Sequence, residues 1–277
     1  MNTMTNPEIG KSIQCGAIQT NYHDVGQGEP VLLLHGSGPG VSAWANWRLT
    51  IAALKNDYRL LAPDFAGFGY STFPQDIRFN RDTWLKQMVD FLDALGLEKV
   101  SVIGNSFGGS MALALAIYHP ERVHKLVLMG SVGVPFELTA GLDAVWGYTP
   151  SFENMQAIMK IFAYDQKLVG DDLVQMRYIA STKEDTRAAY ESMFPAPRQQ
   201  WVEAMSHSEE KIRSISQPTL MVHGRDDRVI PLSTSLTMLN WIDNSQLHIF
   251  SQCGHWTQIE HAQGFTQLVQ QFLKDQG

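Results

Sequence analysis

The chain has 277 residues, of which 44% are hydrophobic and 18% charged, the composition of an ordinary globular protein with a full core. Its 21 Lys and Arg against 28 Asp and Glu give a net charge of −7 without a basic cluster, which argues against a nucleic-acid partner. Two cysteines form no disulfide framework, residues 1–11 lack the apolar core of a signal peptide, and no apolar run approaches the ~20 residues of a membrane span. We therefore expect a cytoplasmic protein without a membrane partner.

Short apolar runs recur along the chain with helical segments between them. After a weakly alternating segment at 15–24, typical of a hairpin at a sheet edge, the runs are residues 31–34, 59–62, 100–103, 126–129, 219–222 and 247–250. Continuous apolar runs suit strands covered on both faces, and helices between them suit crossover connections. The pattern predicts an α/β fold with a mostly parallel, twisted sheet and helices on both of its faces.

The alternation of strands and helices breaks between residues 135 and 206, which are rich in Met, Phe, Tyr and Trp and contain no strand-like run. One interpretation is a set of amphipathic helices packed on the core. The other is a lid whose apolar face lines a pocket, and the position between two strands favours it. We predict a core domain of residues 1–134 and 207–277 and a helical lid of residues 135–206.

A glycine-rich loop at residues 35–40 follows the run at 31–34. Its main-chain N–H groups suit the binding of a developing oxyanion, with the N–H of Phe107 as a second donor. A dinucleotide-binding loop is the alternative, but the third glycine of that fingerprint would fall at Val41, and Pro39 removes a donor. The sequence therefore predicts an oxyanion-binding loop.

The most specific motif is Gly-Asn-Ser-Phe-Gly at residues 104–108, which follows a β-branched run and precedes a strongly helix-forming one. The pattern Gly-x-Ser-x-Gly between a strand and a helix places its serine on a tight, strained turn. Glycines at 104 and 108 leave room for that turn. The motif predicts Ser106 as a catalytic nucleophile rather than an ordinary helix-capping serine.

A serine hydroxyl is a poor nucleophile unless an oriented base takes its proton, and in sheets of this type the order is Ser, acid, His. His255 follows the last predicted strand and is the candidate base. Asp226 and Asp227 follow the preceding strand, and spacing alone does not choose between them because loop aspartates commonly cap turns.

Arg198 lies in the predicted lid. An acidic protein needs a local cation to bind an anionic substrate, and an arginine can hold a carboxylate through a bidentate pair. An ordinary solvated side chain is equally consistent with this position, so the sequence leaves both interpretations open.

Together these segments resemble the meta-cleavage product hydrolases, α/β-hydrolases of bacterial aromatic catabolism, and within them the branch that acts on 2-hydroxymuconate semialdehyde. The segments that carry the resemblance are residues 36–48, 104–109, 141–150, 193–198 and 253–258. The resemblance implies hydrolysis of a carbon–carbon bond in 2-hydroxy-6-oxo-2,4-dienoates, giving 2-hydroxypenta-2,4-dienoate and a small carboxylic acid. It implies no metal or organic cofactor.

The resemblance also implies roles for individual residues. Asp227 becomes the triad acid, and Ser37 joins Phe107 as an oxyanion donor. The residues implied around the carboxylate and dienol end of the substrate are Gly38, Asn46, Asn105, Arg198 and Trp256. Those implied on the acyl side are Val132, Val202 and Ile230, whose branched side chains predict a small substituent at C6.

Two other functions remain open: a carboxylesterase with the same triad, and a ligand-binding α/β-hydrolase homologue without turnover. The esterase has no need of Arg198, and repeated turnover of a dienoate would exclude the binding protein. We also expect a homo-oligomer, a dimer or larger, with a small dienoate as its ligand.

Overall fold

A single eight-stranded sheet runs through the protein, which a computed structural model describes over residues 6–275. The strands are β1 (Lys11–Cys15), β2 (Ile18–Val25), β3 (Glu29–Leu34), β4 (Tyr58–Pro63), β5 (Val100–Asn105), β6 (Val123–Met129), β7 (Thr219–Gly224) and β8 (Ser245–Phe250). The helices are α1 (Ala43–Leu54), α2 (Arg81–Ala94), α3 (Phe107–Tyr118), α4 (Ala140–Trp146), α5 (Phe152–Phe162), α6 (Asp171–Ser181), α7 (Glu184–Met193), α8 (Gln199–Met205), α9 (Glu209–Arg213), α10 (Ser233–Trp241), α11 (Thr257–Glu260) and α12 (Ala262–Lys274). Short 3₁₀ helices lie at Pro120–Arg122 and Gln166–Leu168.

The strand order is β1-β2-β4-β3-β5-β6-β7-β8, and every pair from β4 to β8 is parallel. β1 and β2 form the predicted hairpin at one edge, and β2 pairs antiparallel with β4. Each apolar run singled out in the sequence lies within a strand. The predicted α/β fold with a mostly parallel sheet is therefore confirmed.

Helices cover both faces of the central strands. In β3, Val31 and Leu33 join the cluster that contains Trp47 of α1 and Phe265 of α12, whereas the intervening leucines join the opposite cluster with α2 and α3. Burying one such aliphatic side chain contributes about 1.5–3 kcal/mol. β8 differs from the prediction: it is the last strand of the sheet and remains largely exposed, because an edge strand has a neighbour on one side only.

The chain between β6 and β7 contains no strand and forms helices α4 to α9, of which α4 to α8 lie within residues 140–205. Local capping explains where two of these helices begin: Thr139 accepts the N–H of Leu142, and Ser151 accepts that of Asn154. We call residues 140–205 the helical insertion. Its use as a lid, and the division into residues 1–134 with 207–277 and 135–206, stay predictions, and residues 1–5 and 276–277 of that core lie outside the described range.

Within residues 6–275, no helix has both the length and the apolar character that crossing a membrane requires.

Candidate active site

Ser106 lies on a strained turn between β5 and α3, with φ 55° and ψ −115°. A positive φ at a residue with a side chain costs about 1–3 kcal/mol, and main-chain bonds to β6 and beyond hold it: the N–H of Ser106 donates to Met129 at 2.9 Å. A Cβ at Gly104 would lie 2.7 Å from Cα of Gly109, so the turn needs a glycine there. The side chain of Ser106 makes no capping hydrogen bond to α3, so it is not an ordinary capping serine.

His255 is held by Asp227. Its Nδ1 lies 2.7 Å from Oδ2 of Asp227, and both side chains are buried. The other carboxylate oxygen accepts the N–H groups of Val229 and Ile230 at 2.7 and 3.0 Å. Both carboxylate oxygens of Asp227 therefore have hydrogen-bond partners, and Nδ1 of His255 is turned toward the carboxylate. This leaves Nε2 as the nitrogen available to accept a proton from a nucleophile.

Asp227 remains ionised although it is buried. Burial alone would raise its pKa, but the charges of His255 and His223 and their hydrogen bonds outweigh burial and hold the pKa well below its usual range. His223 lies beside the carboxylate, with its Nε2 3.5 Å from Oδ2 of Asp227. Its Nδ1 meets Ser235 and its Nε2 meets the carbonyl of Ile230, so neither ring nitrogen is free for the role of the base.

Asp226 points elsewhere. Its side chain is 32% exposed, against 1% for Asp227, and its Oδ2 accepts the N–H of Cys253 at 3.4 Å. The structure thus brings Asp227 and not its neighbour to His255, while Asp226 stabilises the adjoining loop.

The loop of residues 35–40 is held by the helical insertion. Ser37 accepts a hydrogen bond at Oγ from Trp146 Nε1 at 3.0 Å, and its carbonyl accepts one from the hydroxyl of Tyr190 at 3.1 Å. Burial raises the pKa of Tyr190 well above its usual value, so the hydroxyl keeps its proton and donates. Phe107 is the first residue of α3, where a main-chain N–H has no acceptor within the helix. Both predicted oxyanion donors therefore belong to elements fixed around Ser106.

Ser106 and His255 line one cavity of about 540 Å³, between the sheet and the helical insertion. The predicted residues Ser37, Gly38, Asn46, Asn105 and Trp256 line the same cavity. The insertion contributes apolar side chains to its wall, namely Leu142, Val145, Met155, Met159 and Phe162. The cavity suits a small ligand with an apolar body and few polar ends.

Two amides on the wall have unused donors. Asn46 accepts the N–H of Gly36 through Oδ1 at 3.2 Å, but its Nδ2 is buried and has no partner among the described residues. Nδ2 of Asn105 is in the same state. A buried donor left unpaired costs about 1–3 kcal/mol, so both amides favour a ligand that carries acceptor oxygens, such as a carboxylate.

Arg198 does not line the cavity in this structure. Its Nη1 donates to Asp143 at 3.1 Å, and its guanidinium lies against Gly147, where a Cβ would come within 2.9 Å of Cζ. The arginines on the cavity wall are Arg48 and Arg177. Arg48 falls within the segment 36–48 and four residues after Trp44 on α1, so its helical position is the signal that could have found it.

Val132, Val202 and Ile230 also lie outside the cavity wall, in contrast to their predicted place on the acyl side. All three are fully buried, and the N–H of Val132 donates to the carbonyl of Ser106 at 3.2 Å. Leu142, Val145 and Val229 lie on the cavity wall instead.

An ion pair that the sequence did not predict lies on the cavity wall. Glu8 pairs with Arg177 of α6 and accepts the hydroxyl of Ser42 at 2.8 Å, and Arg177 donates to the carbonyl of Gly40 at 3.0 Å. The contact joins the N-terminal segment, the glycine-rich loop and the helical insertion. No local pattern marks it, because its partners are 169 residues apart.

Comparison with known proteins places the chain among hydrolases. Residues 29–262 match the family described as alpha/beta hydrolase fold. The chain is 54% identical to the 2-hydroxymuconate semialdehyde hydrolase of Pseudomonas sp. strain CF600, over 99% of this chain and 98% of that one. It is 55% identical to the 2-hydroxy-6-oxo-2,4-heptadienoate hydrolase of Pseudomonas putida strain F1, over 98% of each chain. A solved meta-cleavage product hydrolase from Pseudomonas fluorescens IP01, complexed with acetates, is similar with a TM-score of 0.96 and 51% identity, over 97% of this chain and 98% of that one.

Proposed function

We propose that this chain hydrolyses 2-hydroxymuconate semialdehyde or its 6-methyl analogue, 2-hydroxy-6-oxo-2,4-heptadienoate. The premise is that the chain belongs to the meta-cleavage product hydrolases, which have the alpha/beta hydrolase fold. The chain is a carbon–carbon bond hydrolase of meta-cleavage degradation. The observation that carries the proposal is the shared cavity, which joins Ser106, the His255–Asp227 pair and two unpaired amide donors.

The chemistry explains why these groups are needed together. A carbon leaving group departs poorly unless its electron pair is delocalised. Transfer of a proton to C5 of the dienol gives a keto form in which the electrons released on cleavage spread to the oxygen at C2. The amides of Asn46 and Asn105 suit the oxygens of the resulting dienolate and carboxylate.

Ser106 and His255 then carry out acyl transfer. Ser106 Oγ loses its proton to His255 and attacks the C6 carbonyl, whose oxyanion accepts hydrogen bonds from the N–H groups of Ser37 and Phe107. The C5–C6 bond breaks, and its electrons leave with the dienolate, which takes the proton held by His255 to give 2-hydroxypenta-2,4-dienoate and leaves His255 neutral. Water, activated by His255, releases the acyl group from Ser106 as the free acid. The helical insertion acts as a lid that keeps other water out.

Purified protein mixed with 2-hydroxymuconate semialdehyde tests the proposal. The yellow absorbance of the dienolate should disappear over many turnovers, with formate and 2-hydroxypenta-2,4-dienoate formed in equal amounts. Binding without turnover would identify a ligand-binding homologue instead.

We propose that Arg198 leaves Asp143 and reads the substrate carboxylate. The pair is partly exposed, with 25% and 52% of the two side chains accessible, and such pairs contribute about 0–1 kcal/mol, so exchange for a substrate carboxylate is inexpensive. Arg198→Ala should lower kcat/KM for the dienoate by an amount that corresponds to a loss of about 2–4 kcal/mol of transition-state stabilisation. It should hardly change hydrolysis of the neutral ester p-nitrophenyl acetate.

Asp143→Asn is the matched control, since it removes the same ion pair but keeps the guanidinium. Dienoate hydrolysis should survive in Asp143→Asn. Equal losses in both variants, or equal losses of Arg198→Ala on both substrates, would show that the arginine only supports the insertion.

We propose a preference for hydrogen or methyl at C6 over phenyl. Val132, Val202 and Ile230, which the resemblance assigns to the acyl side, are fully buried, and a phenyl group that displaced such close-packed atoms would cost about 1–3 kcal/mol. Specificity constants for the unsubstituted and 6-methyl substrates should therefore exceed that for the 6-phenyl substrate by about ten- to a hundredfold. Val202→Ala should narrow this difference, and a wild-type enzyme that prefers phenyl would contradict the assignment.

Carboxylesterase activity is the second candidate, because Arg198 is paired away from the cavity in this structure. The ratio of specificity constants for the dienoate and for p-nitrophenyl acetate decides between the two.

We also propose that the enzyme acts in the cytoplasm as a homo-oligomer. The unpaired thiols of Cys15 and Cys253 support the cytoplasm, and the exposed apolar side chains of Leu236 and Ile249 support an interface between copies of the chain.

A further inference from the structure

Glu260, the last residue of α11, binds three main-chain N–H groups. Its Oε1 accepts from Gly254 at 2.7 Å, and its Oε2 accepts from Tyr164 at 2.8 Å and from Asp165 at 2.9 Å. Gly254 precedes His255, whereas Tyr164 and Asp165 follow α5 in the helical insertion. One carboxylate therefore joins the loop that carries the candidate base to the insertion above it.

Two further contacts strengthen this junction. The N–H of His255 itself donates to the carbonyl of Phe162 at 2.7 Å. The ring of Phe162 stacks on His255 and on Trp256, with centroids 5.7 and 5.2 Å apart and planes inclined by 22° in both cases. The imidazole is thus held by Asp227 at Nδ1, by Phe162 along its face and by the insertion through its own main chain.

The close approach of the two segments requires a glycine at 254. A Cβ there would lie 2.8 Å from the nitrogen of Tyr164 and would also meet the carbonyl oxygen of Phe162. Gly254 has no positive φ, so room for the neighbouring chain explains its presence better than backbone conformation does.

We propose that Glu260 is a positioning residue for His255, which clamps the base loop to the helical insertion and so aligns the imidazole with Ser106. We call these contacts the clamp: the three N–H bonds of Glu260 and the bond from His255 to Phe162. The proposal rests on the proposed role of His255 as general base. Misplacing a catalytic group by about 1 Å can cost up to about 100-fold in rate, so a clamp remote from the substrate can control catalysis.

Glu260→Gln tests the clamp with little change in size. Glutamine replaces one acceptor oxygen by an NH₂ group, which cannot accept the N–H groups that the carboxylate binds. We expect kcat to fall by about 10- to 100-fold for both the dienoate and p-nitrophenyl acetate, with KM changed far less, because the base serves both reactions. The rate at which a fluorophosphonate labels Ser106 should fall by a similar factor, since that reaction needs the same activated serine.

Gly254→Ala is the second variant, because it disturbs the same junction without altering a charge and should give the same pattern. Glu203→Gln is the matched control: Glu203 is exposed on α8, and no side-chain bond of it is seen within residues 6–275. It should label and turn over like the wild type. We expect the proton between His255 and Asp227 to give a far-downfield signal in a proton NMR spectrum of the wild type. That signal should broaden or shift in Glu260→Gln and stay unchanged in Glu203→Gln.

If the wild type is labelled at Ser106 and Glu260→Gln is labelled at the same rate, the clamp is overturned while the proposed triad stands. A Glu260→Gln variant that loses thermal stability but keeps the wild-type rate and NMR signal below its melting temperature would also overturn the clamp. A wild type that fails to react at Ser106 would overturn the triad itself, and the clamp with it.

Discussion

Ser106→Ala should lower kcat for the dienoate by at least about 10⁴-fold, because no other group replaces the nucleophile. Binding should persist, since the cavity wall with Asn46, Asn105 and Trp256 is unchanged. Stopped-flow mixing with the dienoate measures both effects: a rapid spectral change on binding, and no later loss of absorbance.

Ser106 faces the cavity from a strained turn, and alanine keeps the same main-chain bonds there. Thermal melting should therefore show a folded variant. Hydrolysis by Ser106→Ala at a rate near that of the wild type would mean that the reaction does not pass through an acyl-serine.

Asp227→Asn should lower kcat by about 10⁴-fold, whereas Asp226→Asn should remain close to the wild type. An asparagine at 227 presents an NH₂ group or a weaker acceptor to Nδ1 of His255, so the tautomer with a free Nε2 is no longer favoured. It also removes the negative charge that stabilises the imidazolium formed when Ser106 is deprotonated.

The two variants differ by one position and carry the same chemical change, which makes each the control for the other. In steady-state kinetics, the ratio of wild-type to Asp227→Asn kcat should be the same for the dienoate and for p-nitrophenyl acetate. The reason is that the proposed acid supports the proposed base in both reactions. A larger loss in Asp226→Asn would move the acid to the exposed neighbour.

Local sequence was sufficient to predict the fold and the strained turn at Ser106. The strands are short apolar runs, and the turn at Ser106 needs glycines within four residues of each other, so both leave a signature that a short window detects. The edge position of β8 was not visible in this way. Its apolar residues resemble those of a central strand, and exposure depends on which strand pairs beside it.

Contacts between distant segments could not be predicted from local patterns. Two adjacent aspartates have the same chemistry, and only the turn after β7 determines that Asp227 reaches His255. The ion pair of Glu8 with Arg177 and the clamp of Glu260 join segments far apart in the chain. The partner of Arg198 is likewise set by where α4 and α8 pack, and sequence alone left its role open.

The position of β8 has a consequence for the newly made protein. Ribosomes deliver a chain from its N-terminus, so Ser106 emerges long before the edge strand that leads into His255. Until β8 docks along β7, the chain that follows it does not bring His255 to Asp227, so the proposed triad is incomplete. The proposed hydrolytic activity is therefore acquired late in synthesis, and a chain that ends before β8 carries Ser106 without the candidate base His255.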